Sequence, residues 1–319
     1  MRQVIVTGAG GFIGSHVVDA LMGAGKRVTA LDFPGVRMHR RDLRFVAGTI
    51  DDVDALATAF AGQDAVFHLA AISNVNHAYD DPIGCVRTNI LGTANVLEAA
   101  RRAGVGRVIL ASTVWVYNAA PMDAAEPLTE ETALATNATN HVYTSSKIAG
   151  EMLLSDWSHL YGIPYTVLRY GIPYGPRMRD ELVIAKFLGK ALRGEPLTVG
   201  HASRHFLYVG DLARAHVLAL GDVAKNQTYN LEGPETITIR QVADAVRDLV
   251  GMVVTIEEQP GRPGDYRDRI ISAAKAKRDL GWEPNVPFSD GMRRTYEWFR
   301  AQHAPHRAAE PQVAVAAGT

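Results

Sequence analysis

Val4–Gly14 reads Val-Ile-Val-Thr-Gly-Ala-Gly-Gly-Phe-Ile-Gly, a short apolar strand that runs straight into glycines and then into the helix-like Ser15–Met22. Such a turn can seat a phosphate. Gly8 can adopt positive φ, Gly11 can let backbone approach a pyrophosphate, and Gly14 can let the helix pack closely on the strand. The helix start then offers unpaired N–H groups and a positive dipole end. The spacing is Gly-x-x-Gly-x-x-Gly, because Ile13 stands where the commoner Gly-x-Gly-x-x-Gly needs glycine. The next apolar strand, Val28–Leu31, ends in Asp32, near the ~20 residues expected for a carboxylate that accepts from a ribose hydroxyl. The stretch reads as a dinucleotide site. Asp32 would repel a 2′-phosphate, which favours NAD over NADP, and Arg37, Arg40 and Arg41 read as a solvated basic loop.

The chain has 319 residues, 47% hydrophobic and 21% charged, enough for one large or two intimately joined domains. A net charge of -1 gives no electrostatic footprint for nucleic acid or an anionic membrane, so a small partner is expected. Cys85 is the single cysteine, which excludes an intramolecular disulfide and a thiolate metal cluster; no metal site is expected. That usage, and a start that enters a strand within three residues with no basic and apolar leader pattern, point to the cytoplasm.

Working outward, Leu43–Ala47 and the nearly continuous apolar run Ala65–Leu69 read as strands three and four, with Asp51–Phe60 a helix between them. A helix from Asp81-Pro82 to Arg102, closed by Gly104, leads to strand five at Arg107–Ala111. Residues 118–140 read as a loop, Val142–Leu160 as a helix and Tyr165–Tyr170 as strand six. Apolar strands alternating with helices predict α/β, a doubly wound parallel sheet of Rossmann type covered on both faces. Residues 1–170 are assigned to this domain, with parts of 205–235 returning to it. After the Pro-rich loop 171–176 the alternation becomes irregular, and 171–301 is assigned mainly to a smaller α/β substrate-binding domain. It holds helices at Leu182–Leu192, at Asp211–Leu220 with Asp211 as N-cap, at Arg240–Val250 and at Ser289–Ala301. Short strands are expected at 197–199, 228–231 and 253–257. Residues 302–319 are expected to be a disordered tail.

The second informative constellation is Tyr143-Thr-Ser-Ser-Lys147. Its i, i+4 spacing puts a phenol and an ammonium on one helix face. The positive charge favours phenolate, lowering a pKa of ~10 in the free side chain and making a general acid/base. The hydroxyls of Ser112-Thr113 at the carboxyl end of strand five strengthen that reading.

With these pieces the sequence resembles the extended short-chain dehydrogenase/reductase family, the nucleotide-sugar epimerases and dehydratases. The matching segments are residues 7–14, 31–32, 64–71, 88–93, 111–117, 143–147, 168–170, 174–176 and 204–211. The resemblance implies that Tyr143, Lys147 and Thr113 are catalytic, with Tyr143 exchanging a proton with a sugar hydroxyl, Lys147 holding the nicotinamide ribose and Thr113 bonding the reacting oxygen. It implies NAD contacts at Gly8, Gly11, Phe12, Ile13, Gly14 and Asp32. Further along the chain it implies them at Ile50, Leu69, Ala70, Ala71, Asn89, Ser112, Tyr143, Lys147 and Tyr170. A nucleotide-diphosphate sugar would be met by Thr113, Trp115 and Tyr143, with Arg204 and Arg262 gripping its diphosphate. Homodimerisation would use the helices from Pro82 and Val142.

The departures bear on the reaction. Family dehydratases carry an Asp-Glu pair directly after the threonine, and decarboxylases a glutamate two residues after it; this chain has Val114 and Trp115. Neither transfers a proton. The expected activity is therefore an NAD-dependent nucleotide-sugar 4-epimerase, with a 4-ketoreductase or dehydrogenase as the alternative. A 4,6-dehydratase or decarboxylase is disfavoured, and a non-catalytic NAD(H)-sensing regulator more so, because a sensor has no use for the acid/base. The epimerases' Leu-Arg-Tyr-Phe-Asn reads Leu-Arg-Tyr-Gly171-Ile172 here, losing an asparagine that touches the substrate diphosphate.

Overall fold

Strands buried on both faces leave no room for a wet side, and the runs read above form the interior of a parallel sheet. The computed structural model describes residues 1–121, 123–259 and 269–303. In chain order the first elements are β1 (Gln3–Thr7), α1 (Phe12–Gly23), β2 (Arg27–Asp32), β3 (Arg44–Ala47), α2 (Val53–Phe60) and β4 (Ala65–His68). They continue with α3 (Val75–Asp80), α4 (Pro82–Val86), α5 (Gly92–Ala103), β5 (Val108–Thr113), α6 (Val142–Tyr161) and β6 (Tyr165–Tyr170). Next come β7 (Ile172–Tyr174), α7 (Val183–Leu192), β8 (Leu197–Val199), β9 (Ser203–Tyr208), α8 (Val209–Leu218) and β10 (Gln227–Leu231). β11 (Thr236–Thr238), α9 (Ile239–Val250), β12 (Ile256–Glu258), α10 (Ala274–Leu280) and α11 (Phe288–His303) complete the described chain.

Seven strands form one sheet in the order β10-β6-β5-β4-β1-β2-β3, and each pair is parallel. All residues of β4 and β5 are buried, whereas β3 at the edge is mostly exposed. Val17, Leu21, Leu212 and Trp282 cover one face with α1 and α8. Leu56, Phe60, Leu97 and Leu154 cover the other with α2, α5 and α6. The chain winds one way through β1, β2 and β3 and the other way through β4, β5 and β6. The reversal leaves a crevice at the carboxyl ends of β1 and β4, where such sheets bind ligands. A second core of Tyr174, Phe187, Phe206, Val242, Met292 and Phe299 gathers α7, α9, α11 and the small sheet β11-β9-β7.

Several local expectations are corrected. The helix from Pro82 is interrupted: Arg87–Leu91 takes π geometry between α4 and α5, and Gly104, with φ 66, ends it. Asp211 is no N-cap. It lies in the first turn of α8, where its carboxylate accepts from Asn285 N and Val286 N, each at 2.9 Å, so it anchors the chain beyond α10. Part of the Pro-rich loop is strand β7, paired parallel to β9. The strand expected at 253–257 lies at Ile256–Glu258. Helix α11 includes 302–303, and the rest of the expected tail, 304–319, lies outside the described residues. Among the described residues no helix is long and apolar enough to cross a membrane.

Candidate active site

The glycine turn is built by contact, not by flexibility alone. Gly8, at φ 69, approaches β4 so closely that a Cβ would sit 2.8 Å from Ala70 N. A Cβ on Gly14 would sit 2.0 Å from Gly8 O. The three glycines therefore draw β1, the end of β4 and the start of α1 into one cradle. Gly11 is the N-cap of α1 and supplies no side-chain cap, which leaves the first N–H groups of the helix available to an anion. Phe12 packs toward the second core and Ile13 toward the sheet.

Asp32, at the end of β2, accepts from Gly10 N and Phe33 N, each at 2.8 Å, which fixes a carboxylate beside the cradle. Arg40 is bound to Asp42 (Nε to Oδ1, 2.8 Å) and lies 3.8 Å from Asp19, so acids already balance its charge. The cradle and its carboxylate fit an NAD-type pyrophosphate and ribose. Ile50 is buried against Gly92 at the start of α5. Leu69 and Ala70 pack on opposite faces of the sheet, with Ala71 partly exposed beside them. Asn89 is spent internally. Its Oδ1 accepts from Ile72 N at 2.8 Å and its Nδ2 donates to Ile72 O and Ser146 Oγ at 2.9 Å, stitching the loop after β4 to α6.

The side chain of Ser112 is already engaged. Its hydroxyl donates to Glu151 Oε1, because neighbours on a strand face opposite sides of the sheet. Glu151 in turn holds Arg169 (Nη2 to Oε2, 2.7 Å), and Arg169 donates to the Tyr117 hydroxyl at 2.9 Å. This ion pair stitches α6 to the sheet and takes up the Ser112 hydroxyl. Tyr170 likewise spends its hydroxyl on His216 Nε2, at 2.6 Å.

The acid/base group gathers where β5 meets the start of α6. Thr113, whose Oγ1 accepts from Trp115 N at 3.2 Å, stands near enough to the Tyr143 phenol to favour its ionised form. Lys147 Nζ donates to Ala111 O at 3.0 Å. The expected depression of the tyrosine by the lysine is not what the fold produces. Burial pushes the Tyr143 phenol up to about 12, while Thr113 and the charge of Arg179 oppose the rise. Burial also lowers Lys147 to about 8. Val114 is buried among Val116, Tyr117 and Ile148.

Two residues that sequence reasoning missed belong here. His141 caps α6 and lies 5.5 Å from the Trp115 ring and 6.4 Å from the Tyr143 ring, centroid to centroid. Arg179 donates to Ser73 Oγ at 3.3 Å and pairs with Glu181 at 3.2 Å. His141 could have been found two residues before Tyr143; Arg179 had no local signal. Arg204 lies buried in β9, its Nη1 donating to Ser203 O at 2.6 Å. Arg262 lies outside the described residues. No group of three or more metal-ligating side chains occurs among the described residues.

A strand–glycine–helix cradle, with a hydroxyl at the end of β5 and a phenol and an ammonium on α6, defines a Rossmann-type cofactor site with an acid/base group. Residues 4–231 match the NAD dependent epimerase/dehydratase family, and the chain belongs to it. NAD is accordingly its cofactor. The chain is 33% identical to the dTDP-glucose 4,6-dehydratase of Streptomyces niveus, over 95% of this chain and 94% of that one. It is 32% identical to the UDP-glucose 4-epimerase of Mycolicibacterium smegmatis, over 93% and 98%. Its fold matches the crystal structure of the Thermotoga maritima UDP-glucose 4-epimerase with UDP-glucose, with a TM-score of 0.86, 32% identity and coverage of 94% and 99%.

Proposed function

We propose that the chain is a nucleotide-sugar 4-epimerase. The observation that carries this reading is the Thr113–Tyr143–Lys147 group with a buried Val114 and an aromatic Trp115 where a second carbon would need acids. NAD, when bound, supplies the acceptor and then the donor of hydride at the sugar C4. The side chains do the rest. Tyr143 takes the proton of the 4-hydroxyl and returns it, while Thr113 holds the same oxygen and Lys147 is placed to hold the nicotinamide ribose. In the free protein the phenol keeps its proton, so the neighbouring cations and the bound cofactor must make it a base; Arg179 already acts in that direction. Arg204 and Arg262 grip the diphosphate, leaving the 4-keto sugar free to turn over between the two transfers.

Replacing Tyr143 by Phe removes the proton carrier and leaves the cradle untouched. Epimer interconversion, tested on UDP-, dTDP-, GDP- and CDP-sugars, should fall by about a hundredfold or more, with NAD still bound. Near-normal turnover would sink the assignment.

The enzyme acts as a homodimer in this reading. Tyr79 (84% exposed), Ile83 (71%) and Leu91 (54%) lie on the run α3 to α5, and Met152 (57%) and Leu160 (66%) lie on α6. These helices pack side by side, and a second copy would cover their apolar residues.

A further inference from the structure

The residues that follow Thr113 form a short helical turn, Val114–Ala119. Trp115 N donates to Thr113 Oγ1 at 3.2 Å, so the indole is tied by its backbone to the hydroxyl of the acid/base group. Val114, Val116, Tyr117 and Ala119 are buried in this turn, whereas Trp115 is left partly exposed. Core packing therefore accounts for its neighbours and not for the outer part of the indole.

A second ring meets it from α6. His141 is the N-cap of that helix; its Nδ1 accepts from Thr144 N at 3.2 Å and its Nε2 lies 3.4 Å from Thr144 Oγ1. Thr144 is fully buried, so both ring nitrogens turn inward to one residue and hold the imidazole in one orientation. Capping alone would be served as well by serine or asparagine. The ring has a second set of contacts to explain. Its centroid lies 5.5 Å from that of Trp115, tilted by 55°, and 6.4 Å from that of Tyr143, stacked at 23°. Trp115 and Tyr143 are themselves 6.4 Å apart, edge to face at 78°. All three separations fall in the ~4.5–7 Å range of aromatic pairs. The rings close a triangle whose third corner is the proton carrier.

We propose that His141 is a positioning residue for sugar recognition, holding the Trp115 indole as the wall on which the apolar face of the hexose packs while a sugar hydroxyl meets Tyr143. This rests on the nucleotide-sugar reading and deepens it by naming the part of the ligand that the wall takes. A hexopyranose presents C–H bonds on its faces, whose positive ends suit the negative face of an aromatic ring. Binding sites combine apolar and aromatic walls with a few polar groups that fix orientation. Here Thr113 and Tyr143 are the polar groups and Trp115 is the wall. An indole already held against His141 loses little freedom when the sugar arrives, whereas one released from it must be ordered by the ligand. Apolar contact is also non-directional. Either face of a sugar that turns over between two hydride transfers can therefore use the same wall, which a set of hydrogen bonds aimed at one face would not allow. His141 acts through Trp115 and is asked to touch no substrate atom.

The test measures binding to the NAD-loaded protein, setting UDP-, dTDP-, GDP- and CDP-glucose each against its bare nucleoside diphosphate. His141→Ser keeps a good cap and removes the ring. It should leave the urea midpoint in place, weaken the sugar conjugates about fivefold and leave the bare diphosphates within about twofold. His141→Phe keeps a ring and removes the cap, so it should lower the urea midpoint yet hold the conjugates within about twofold of the wild type. Trp115→Ala should weaken the conjugates about tenfold, and adding His141→Ser to it should cost nothing further, because the histidine acts through the indole. The proposal is overturned by a His141→Ser protein that binds the conjugates like the wild type, or that loses the bare diphosphates equally. It is overturned too if His141→Ser costs as much without the indole as with it, or if a folded His141→Phe loses the conjugates as the serine variant does. A wild type that holds no conjugate more tightly than its diphosphate has the same force. Failure of the epimerase reading would show separately, as a wild type that binds the conjugates without interconverting any sugar.

Discussion

Replacing Lys147 by Met should make the cofactor-free protein more stable while ending its catalysis. Lys147 is 8% exposed, and Nζ donates to Ala111 O. Burial lowers the ammonium from 10.5 to about 8, with Cys85 and Glu151 acting weakly the other way. A lysine whose pKa is depressed on folding weakens the fold wherever the unfolded chain would keep the proton. Below about pH 8 both states are protonated and the full deficit applies; two and a half pH units correspond to about 3 kcal/mol. As pH rises from there toward the unfolded value, the folded lysine loses its proton first, the unfolded chain holds more protons, and stability climbs. Losing the bond to Ala111 O gives back about 1 kcal/mol, so the variant should gain about 2 kcal/mol at about pH 7. Urea unfolding without cofactor, at about pH 7 and about pH 9.5, gives both numbers. The variant should lead at the lower pH and lose about 2 kcal/mol of that lead at the higher. A variant less stable at neutral pH, or a difference that does not move with pH, would refute the reasoning.

Gly14→Ala drives a Cβ to 2.0 Å from Gly8 O and 3.0 Å from Ala9 Cα, and these are backbone atoms of the cradle. It should cost about 1–3 kcal/mol in urea unfolding and weaken NAD binding in titration; unchanged affinity would separate the cradle from the cofactor. Glu151→Gln leaves Arg169 buried without its counter-charge and should cost about 3–5 kcal/mol, with a loss under about 1 kcal/mol showing that the pair is not structural. Light scattering should give the mass of two chains, and changing Tyr79 and Ile83 to Asp should halve it; a wild-type monomer would remove the dimer from the reading.

The parts of this protein that are legible in its sequence are those whose causes are local. The strand before Gly8, the helix after Gly11 and the Tyr143–Lys147 spacing each follow from residues within one turn of each other, and the structure builds each element there. What fails is set by distant partners. Asp211 looks like an N-cap because its helix begins beside it, yet its carboxylate is claimed by Asn285 and Val286. Ser112 reads as a second site hydroxyl because it adjoins Thr113, although alternation along a strand already sends the two side chains to opposite faces. The Tyr143–Lys147 pair shows the limit most clearly. Spacing establishes that they share a helix face, but the sign of the tyrosine shift depends on burial, which spacing does not contain.

That distinction also explains why Gly171 and Glu232 are opaque when read singly. A glycine after a strand is ordinary, and so is a glutamate at a strand end. Neither suggests the other across sixty positions, yet the Glu232 carboxyl fills the space that a side chain at 171 would enter. In the proposed reaction Thr113 and Tyr143 act on the sugar oxygen, and local pattern finds both. Only the register of β6 and β10 brings the contact between Gly171 and Glu232 into view.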